Sequence, residues 1–332
     1  RPLPHTLLWE SATAPAGHLE DNMRARLSIT ATLLLMAALL SGCGKTNQVS
    51  SPVSGTDGSM DQAAVAGAIA SSPQVVEDGE FESTEMGAIN EGQPGATAAI
   101  NPLYYWRVIR HVDRRFEFAF ADTDSTGRPT TAIVTIHKLL SGSFNILTGQ
   151  PGTDGTPIDS SVSVVRKPLY DHWVRRVLLK RIMNPATARD AWRVVATSGV
   201  KVTSRNAQTR IESLRVQTAD LDTTITDPLR FIFLRNILKV DPEAEVTLTV
   251  TTLRNDDVVV LQLRNHRRFR FHNNGDNTYT GVWRAPMLAG LRHFGVNALS
   301  NGTLFDDEAP YDSQAWLLPY LVRPNEIADT LP

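Results

Sequence analysis

The acids, the histidines and the one thiol of this 332-residue chain are the groups through which it could do chemistry. Their spacing limits what that chemistry is. Asp306, Asp307 and Glu308, with Asp312 four residues on, form the densest acidic loop. Carboxylate oxygens converging there would suit a hard cation such as calcium, the only cofactor these residues suggest. A second loop holds Asp122, Asp124, Thr126 and Gly127, which match the alternating oxygens and sixth-position glycine that open a calcium loop. Its twelfth position is Ile133 rather than an acid, so a plain hairpin is expected. The histidines that follow are His111, His137, His172, His266, His272 and His293, and none pairs at a ligand spacing on a predicted helix. His266 and His272 flank the basic strand 267–271 and could bracket a site. Glu117, Asp171 and Glu212 come from different segments. Two of them meeting in one cleft would allow acid–base attack on a glycan, but spacing alone does not unite them.

Several enzyme templates fail. There is no Gly-x-Ser-x-Gly elbow and no His-Glu-x-x-His zinc motif. Gly44-Lys45-Thr46 copies the end of a phosphate-binding loop, but Leu39 stands where that loop needs its first glycine. No catalytic residue is therefore assigned. Binding has its own candidates. Tyr104, Tyr105 and Trp106 lie in one row, so strand alternation sends Tyr105 to the face opposite its neighbours, where an outward ring could hold a carbohydrate or peptide. Arg175 and Arg176, with Lys180 and Arg181, form a basic run that could touch an anionic surface.

The single cysteine is Cys43. It closes Leu40-Ser41-Gly42-Cys43, after an apolar run of 14 residues (Leu27 to Leu40) and the basic head Met23-Arg24-Ala25-Arg26. That run is shorter than the roughly 20 residues a helix needs to cross a bilayer, and the three parts together make an export signal. The ending resembles the lipobox of bacterial lipoproteins. The resemblance implies cleavage before Cys43, acyl chains such as palmitate on its thiol and new N-terminus, and a membrane partner reached through that lipid. Two or three chains hold where one alone anchors only marginally. Gly44, where an Asp would retain the protein at the inner membrane, implies the outer membrane or cell surface of the bacterial envelope. Residues 1–22 precede the signal's Met23 and are expected to be upstream translation from a misplaced start.

These groups need elements to position them. Residues 43–100 are rich in Gly, Ser, Ala and Gln and carry Asp57, Asp61, Glu77, Asp78, Glu80, Glu82, Glu85 and Glu91 against Lys45. Such a segment buries too little apolar surface to order itself, and a disordered acidic tether is expected. The remainder carries 29 basic residues against 24 acidic ones, too weak an excess to imply nucleic acid, and its arginines follow no nucleic-acid motif.

The expected fold is mainly β, in two domains, 101–240 and 241–325. In the first, Tyr104-Trp106-Val108, Phe116-Phe118-Phe120, Ala132-Val134-Ile136 and Trp192-Val194-Ala196 alternate with period two. Across 168–182, Leu169, Trp173 and Val177, then Val174, Leu178 and Ile182, recur every four residues, which suits either one helix or a basic strand. In the second, Val246, Leu248 and Val250 alternate with threonines, and six or seven short strands point to a β-sandwich. The run from Asn274 to Trp283 resembles a hairpin of bacterial Ig-like extracellular modules. That resemblance implies an aromatic packed between two sheets and says nothing of a ligand.

Overall fold

The structure is a computed structural model that describes residues 56–76, 86–88, 99–149, 162–184, 189–206, 208–263 and 268–323. Cys43 and the export signal, His266 and the remaining parts of the tether lie outside the described residues. The described chain is mainly β. After helices α1 (Thr56–Ala70) and α2 (Pro73–Val76) come strand β1 (Met86–Ala88) and the long strands β2 (Pro102–Thr123), β3 (Pro129–Thr148), β4 (Ser163–Asn184) and β5 (Arg189–Ser204). Shorter strands follow: β6 (Ile211–Gln217), β7 (Asp222–Ile225), β8 (Ile232–Phe233), β9 (Leu238–Val240), β10 (Glu245–Thr252), β11 (Val258–Leu263) and β12 (Arg268–Arg270). The chain then forms β13 (His272–Asn273), β14 (Thr278–Arg284), β15 (Gly290–Leu299), helix α3 (Asn301–Phe305) and β16 (Ser313–Val322).

Two sheets result. The larger runs β1-β2-β3-β4-β5-β16-β15-β11-β12, and the smaller runs β13-β14-β10-β6-β7. The smaller sheet packs on β11, β15 and β16, closing a sandwich around Val246, Leu248, Val250, Leu261, Val296 and Leu318. Trp283 lies between the layers, its ring centroid 5.8 Å from Phe294 and 5.6 Å from Tyr320. Strands β6 and β7, which sequence grouped with residues 101–240, pair with each other, and β6 pairs with β10 of the sandwich. Strand β16 pairs with β5, so one sheet is continuous through both regions.

The meander β2–β5 curls. Tyr105, Phe144 and Leu169 share a core with Val258, Val260 and Leu299, so one face of these long strands turns toward β11 and β15. A bulge between Ile109 and His111 helps bend the sheet. Gly142 sits opposite it, where a Cβ would lie 1.8 Å from the Val108 carbonyl oxygen, so only glycine fits. The turn from β2 to β3 is the hairpin expected at Asp122–Gly127. The Asp124 carboxylate accepts from the Thr126 and Arg128 amides at 2.8 and 3.0 Å, and Gly127 takes φ +80°.

Residues 168–182 form strand, not helix. Leu169, Trp173 and Val177 are buried, while Tyr170 and His172 are exposed and Val174, Arg176 and Leu178 only half-buried. The physical reason lies in the period: residues four apart share a face in a strand as well as in a helix. Pairing with β3 on one side and β5 on the other settles the choice.

The tether expectation also needs correction, because α1, α2 and β1 fall within residues 43–100. Alanine-rich sequence favours helix once a surface is offered. Val65, Ile69 and Val75 are buried against Val134, Trp173, Val177 and Trp192 of the concave face. Asp61 ties α1 down through Arg181 at 2.6 Å and the Trp192 indole N–H at 3.3 Å. Among the described residues no helix is long and apolar enough to cross a membrane.

Candidate functional site

The outer face of the meander carries a polar strip set by strand register. His111, Ser141 and Tyr170 form one row across β2, β3 and β4. Asp113, Leu139, His172 and Thr203 form the next, continued into β5, and Arg115, His137, Val174 and Lys201 the third. The first two rows border an open cleft of about 530 Å³ lined by His111, Asp113, Leu139, Tyr170, His172 and Arg205. Its apolar surface is unusual for an outer strand face, since Tyr170 is 50 % and Leu139 43 % exposed. The Arg205 guanidinium lies 5.8 Å from the centre of the Tyr170 ring and steadies it.

A chain of three ionisable groups leads away from this cleft. His172 Nε2 and His137 Nδ1 are 2.9 Å apart, and His137 Nε2 lies 3.3 Å from Glu117 Oε2. The imidazole planes differ by 13° and the centroids are 5.2 Å apart, which with so short an N···N contact puts the rings edge to edge in a common plane. The His137 Nε2–Glu117 pair is a charge contact rather than a hydrogen bond, and which ring donates across the Nδ1···Nε2 contact depends on the tautomer. Burial and the neighbouring His137 hold His172 below the ordinary imidazole value, against the opposing pull of Glu117.

The concave face treats its charges differently. Asp171 is buried and receives a hydrogen bond from the Tyr311 hydroxyl at 3.1 Å, with the Arg107 guanidinium 3.7 Å away. Burial pushes its carboxyl up, and Arg107 and Tyr311 pull it back only in part. Lys167 is buried and donates from Nζ to the carbonyls of Gly302, at 2.9 Å, and Asp306. Burial pushes this ammonium down to about 8.

Several sequence candidates therefore change role. Tyr105 is not an outward ring; it is 3 % exposed and stacks on Phe144 at 5.5 Å, because the strip that alternation assigned to it is the concave one. Arg175 is fully buried, donates to the Val75 carbonyl at 3.1 Å and so clamps α2 to the sheet instead of meeting a surface. Arg176, one residue on, points to the outer face and lines a second cavity.

The Asp306 and Asp312 carboxylates of the acidic loop face separate protein partners. Asp312 is buried and accepts from Ser204 Oγ at 3.0 Å, the Thr209 amide at 2.9 Å and Thr209 Oγ1 at 3.1 Å. Asp306 accepts from the Glu308 and Ala309 amides at 2.9 and 3.3 Å, Asp307 and Glu308 are exposed, and the ammonium of Lys167 lies on the loop's carbonyls. Among the described residues no group of three or more acids, histidines or thiols could hold a metal. Of the three nominated carboxylates, Glu117 is on the outer face, Asp171 on the concave face and Glu212 on β6 of the other sheet. They share no cleft. His272 is exposed on β13.

Sequence reasoning missed Tyr170 altogether, and it named His111, His137, His172 and Glu117 without bringing any of them together. A signal for part of their grouping was present: counting outward from the hairpin at Asp122–Gly127 pairs Arg115 with His137 and Glu117 with Thr135, and so sets Glu117 diagonal to His137. No protein-family model matches this chain, and comparison with curated proteins and with solved structures found no match either.

Proposed function

We propose that this chain is a non-catalytic binding protein of the bacterial cell envelope, lipid-anchored through Cys43, whose ligand enters the cleft on the outer face of the meander. The observation that carries the reading is the cleft itself. Its volume of about 530 Å³ falls in the range of small-ligand sites, which are mostly apolar with a few fixed polar groups. An exposed tyrosine ring flanked by imidazole, carboxylate and guanidinium suits a polyhydroxylated ligand: the ring covers C–H faces while the polar groups take hydroxyls. The dispersal of Glu117, Asp171 and Glu212 weighs against hydrolysis by a carboxylate pair.

The test is calorimetric titration of the full chain with soluble envelope oligosaccharides, wild type beside Tyr170→Ala. Binding that Tyr170→Ala weakens at least about tenfold supports the site. Binding untouched by that change, or no binding across the panel, removes it. The anchor has its own check, because Cys43→Ala should release the protein from membranes and abolish the mass added by acylation.

A second reading, an enzyme acting on envelope glycans, is favoured by the Glu117–His137–His172 chain. Burial and His137 outweigh Glu117 and hold His172 below the ordinary imidazole value, which keeps it in the neutral form a general base needs. This reading expects release of reducing ends from those oligosaccharides, lost in His172→Ala and reduced in Glu117→Gln.

A further inference from the structure

A second cavity, of about 660 Å³, lies where the meander meets the sandwich, walled by β4, β7, β16 and the segment 226–238. Its charge is one-sided. Arg176 of β4 and Arg230 of that segment both line it, and Asp227 is the only acid that does. Neither arginine has a carboxylate partner among the described residues, whereas Arg181, Arg215, Arg254 and Arg323 all have one. The Arg176 side chain is half-buried and lines the cavity, its guanidinium 4.7 Å from the centre of the Phe231 ring, which restricts its motion. Asp227 does not neutralise it: its Oδ1 accepts from the Leu229 amide at 2.8 Å, which holds the turn.

Thr223, Thr224 and Thr226 line the wall formed by β7 and the residue after it. The remaining wall is apolar apart from Asn236, with Phe231, Ile232 and the fully buried Leu318 among its side chains. We infer that this cavity binds a phosphate monoester carrying an apolar body, its oxygens taken by Arg176 and Arg230 and its body laid against Phe231 and Ile232. A guanidinium fork matches phosphate oxygens in pairs, and threonine hydroxyls near it supply further donors. A bare inorganic anion would leave the apolar wall uncovered. A neutral alcohol would leave two cations without a partner. The inference does not depend on the outer-face cleft, which involves neither arginine.

Two sources share this chemistry: a soluble phosphate ester, and the headgroup end of an acidic phospholipid. The experiment is titration calorimetry of the full chain with hexyl phosphate, beside hexanol and inorganic phosphate, for wild type, Arg176→Gln and Arg230→Gln. Hexyl phosphate should bind at least tenfold more tightly than either fragment, and Arg176→Gln should cost at least tenfold. Arg230→Gln, on an exposed side chain, should cost about threefold and keeps the test valid if Arg176→Gln melts early. No heat at millimolar hexyl phosphate, or equal affinity in all three proteins, overturns the proposal. Sedimentation of the Cys43→Ala chain with phosphatidic acid vesicles then separates the sources. Arg176-dependent sedimentation assigns the headgroup, and its absence beside retained hexyl phosphate binding assigns the soluble ester.

Discussion

The two faces of the meander are built from the same strands, yet they use charge in opposite ways. On the concave face the charged side chains just described meet the protein itself: Asp171 accepts from Tyr311 beside Arg107, Lys167 donates to two carbonyls and Arg175 to the Val75 carbonyl. Of the Asp171 carboxylate, only Oδ1 is left without a hydrogen bond among the described residues. On the outer face His172, Tyr170 and Arg176 line open cavities. Burial explains the difference. A charge removed from water must be paired or hydrogen-bonded, while one at the surface can wait for a ligand. A charged residue in this molecule is therefore informative about function according to which way its strand turns it, and neighbours in sequence such as Arg175 and Arg176 divide between the two roles.

The largest effect that would break this contrast is expected at Asp171. Asp171→Ala takes the carboxylate away from the Arg107 guanidinium and the Tyr311 hydroxyl, leaving Ser313 Oγ as their partner, and should cost about 3–5 kcal/mol of unfolding free energy, measured by denaturant titration. Asp171→Asn keeps the shape and one acceptor and should cost less. If Asp171→Ala were neutral, the concave charges would not be structural.

Lys167→Met comes next, at about 1.5–3 kcal/mol at neutral pH, from hydrogen bonds to a charged group. Its pH dependence has a defined sign. The folded-state value, near 8, lies below the ordinary 10.5, so the unfolded chain binds the extra proton between the two. Wild-type stability should thus rise with pH across that window, and the gap to Lys167→Met should widen.

The smallest effect belongs to the outer face. His172→Ala should change stability by no more than about 0.5 kcal/mol at neutral pH. Because His172 is held below the ordinary imidazole value of 6.5, the unfolded chain takes up its proton first as pH falls. Stability from this group should therefore drop on acidification through about 6.5, and His172→Ala should lose that part of the slope. A large loss at neutral pH would mean that His172 is structural after all.

Much of the fold was legible because strand alternation is local. Val246, Leu248 and Val250, the Asp122–Gly127 turn and the inward Trp283 could each be read from a few adjacent residues. What could not be read depended on partners far along the chain. The four-residue spacing of Leu169, Trp173 and Val177 fits two structures equally, and only β3 and β5 choose between them. The helix at Thr56–Ala70 is mostly alanine among its apolar residues, with only Met60, Val65 and Ile69 larger, and relies on the concave face for burial. The cleft assembles His111, Leu139, Tyr170 and Arg205 from four places in the sequence, so no motif announces it. Arg176 was nominated on charge alone; what distinguishes it from Arg175 is a single step of the pleat.

Strand β16 has a consequence for the order of assembly. Residues 313–322 sit between strands made of residues 189–204 and 290–299, and also take β9 as a parallel neighbour at Tyr320–Val322. A ribosome, or a translocation pore passing the chain N-terminus first, delivers this strand after every one of its partners. Until it arrives, β5 has an open flank at Val200–Thr203, and the sandwich lacks Trp316, Leu318 and Tyr320. Contacts spanning more than a hundred residues close slowly. The sandwich thus closes only when β16 takes its place in the middle of the sheet.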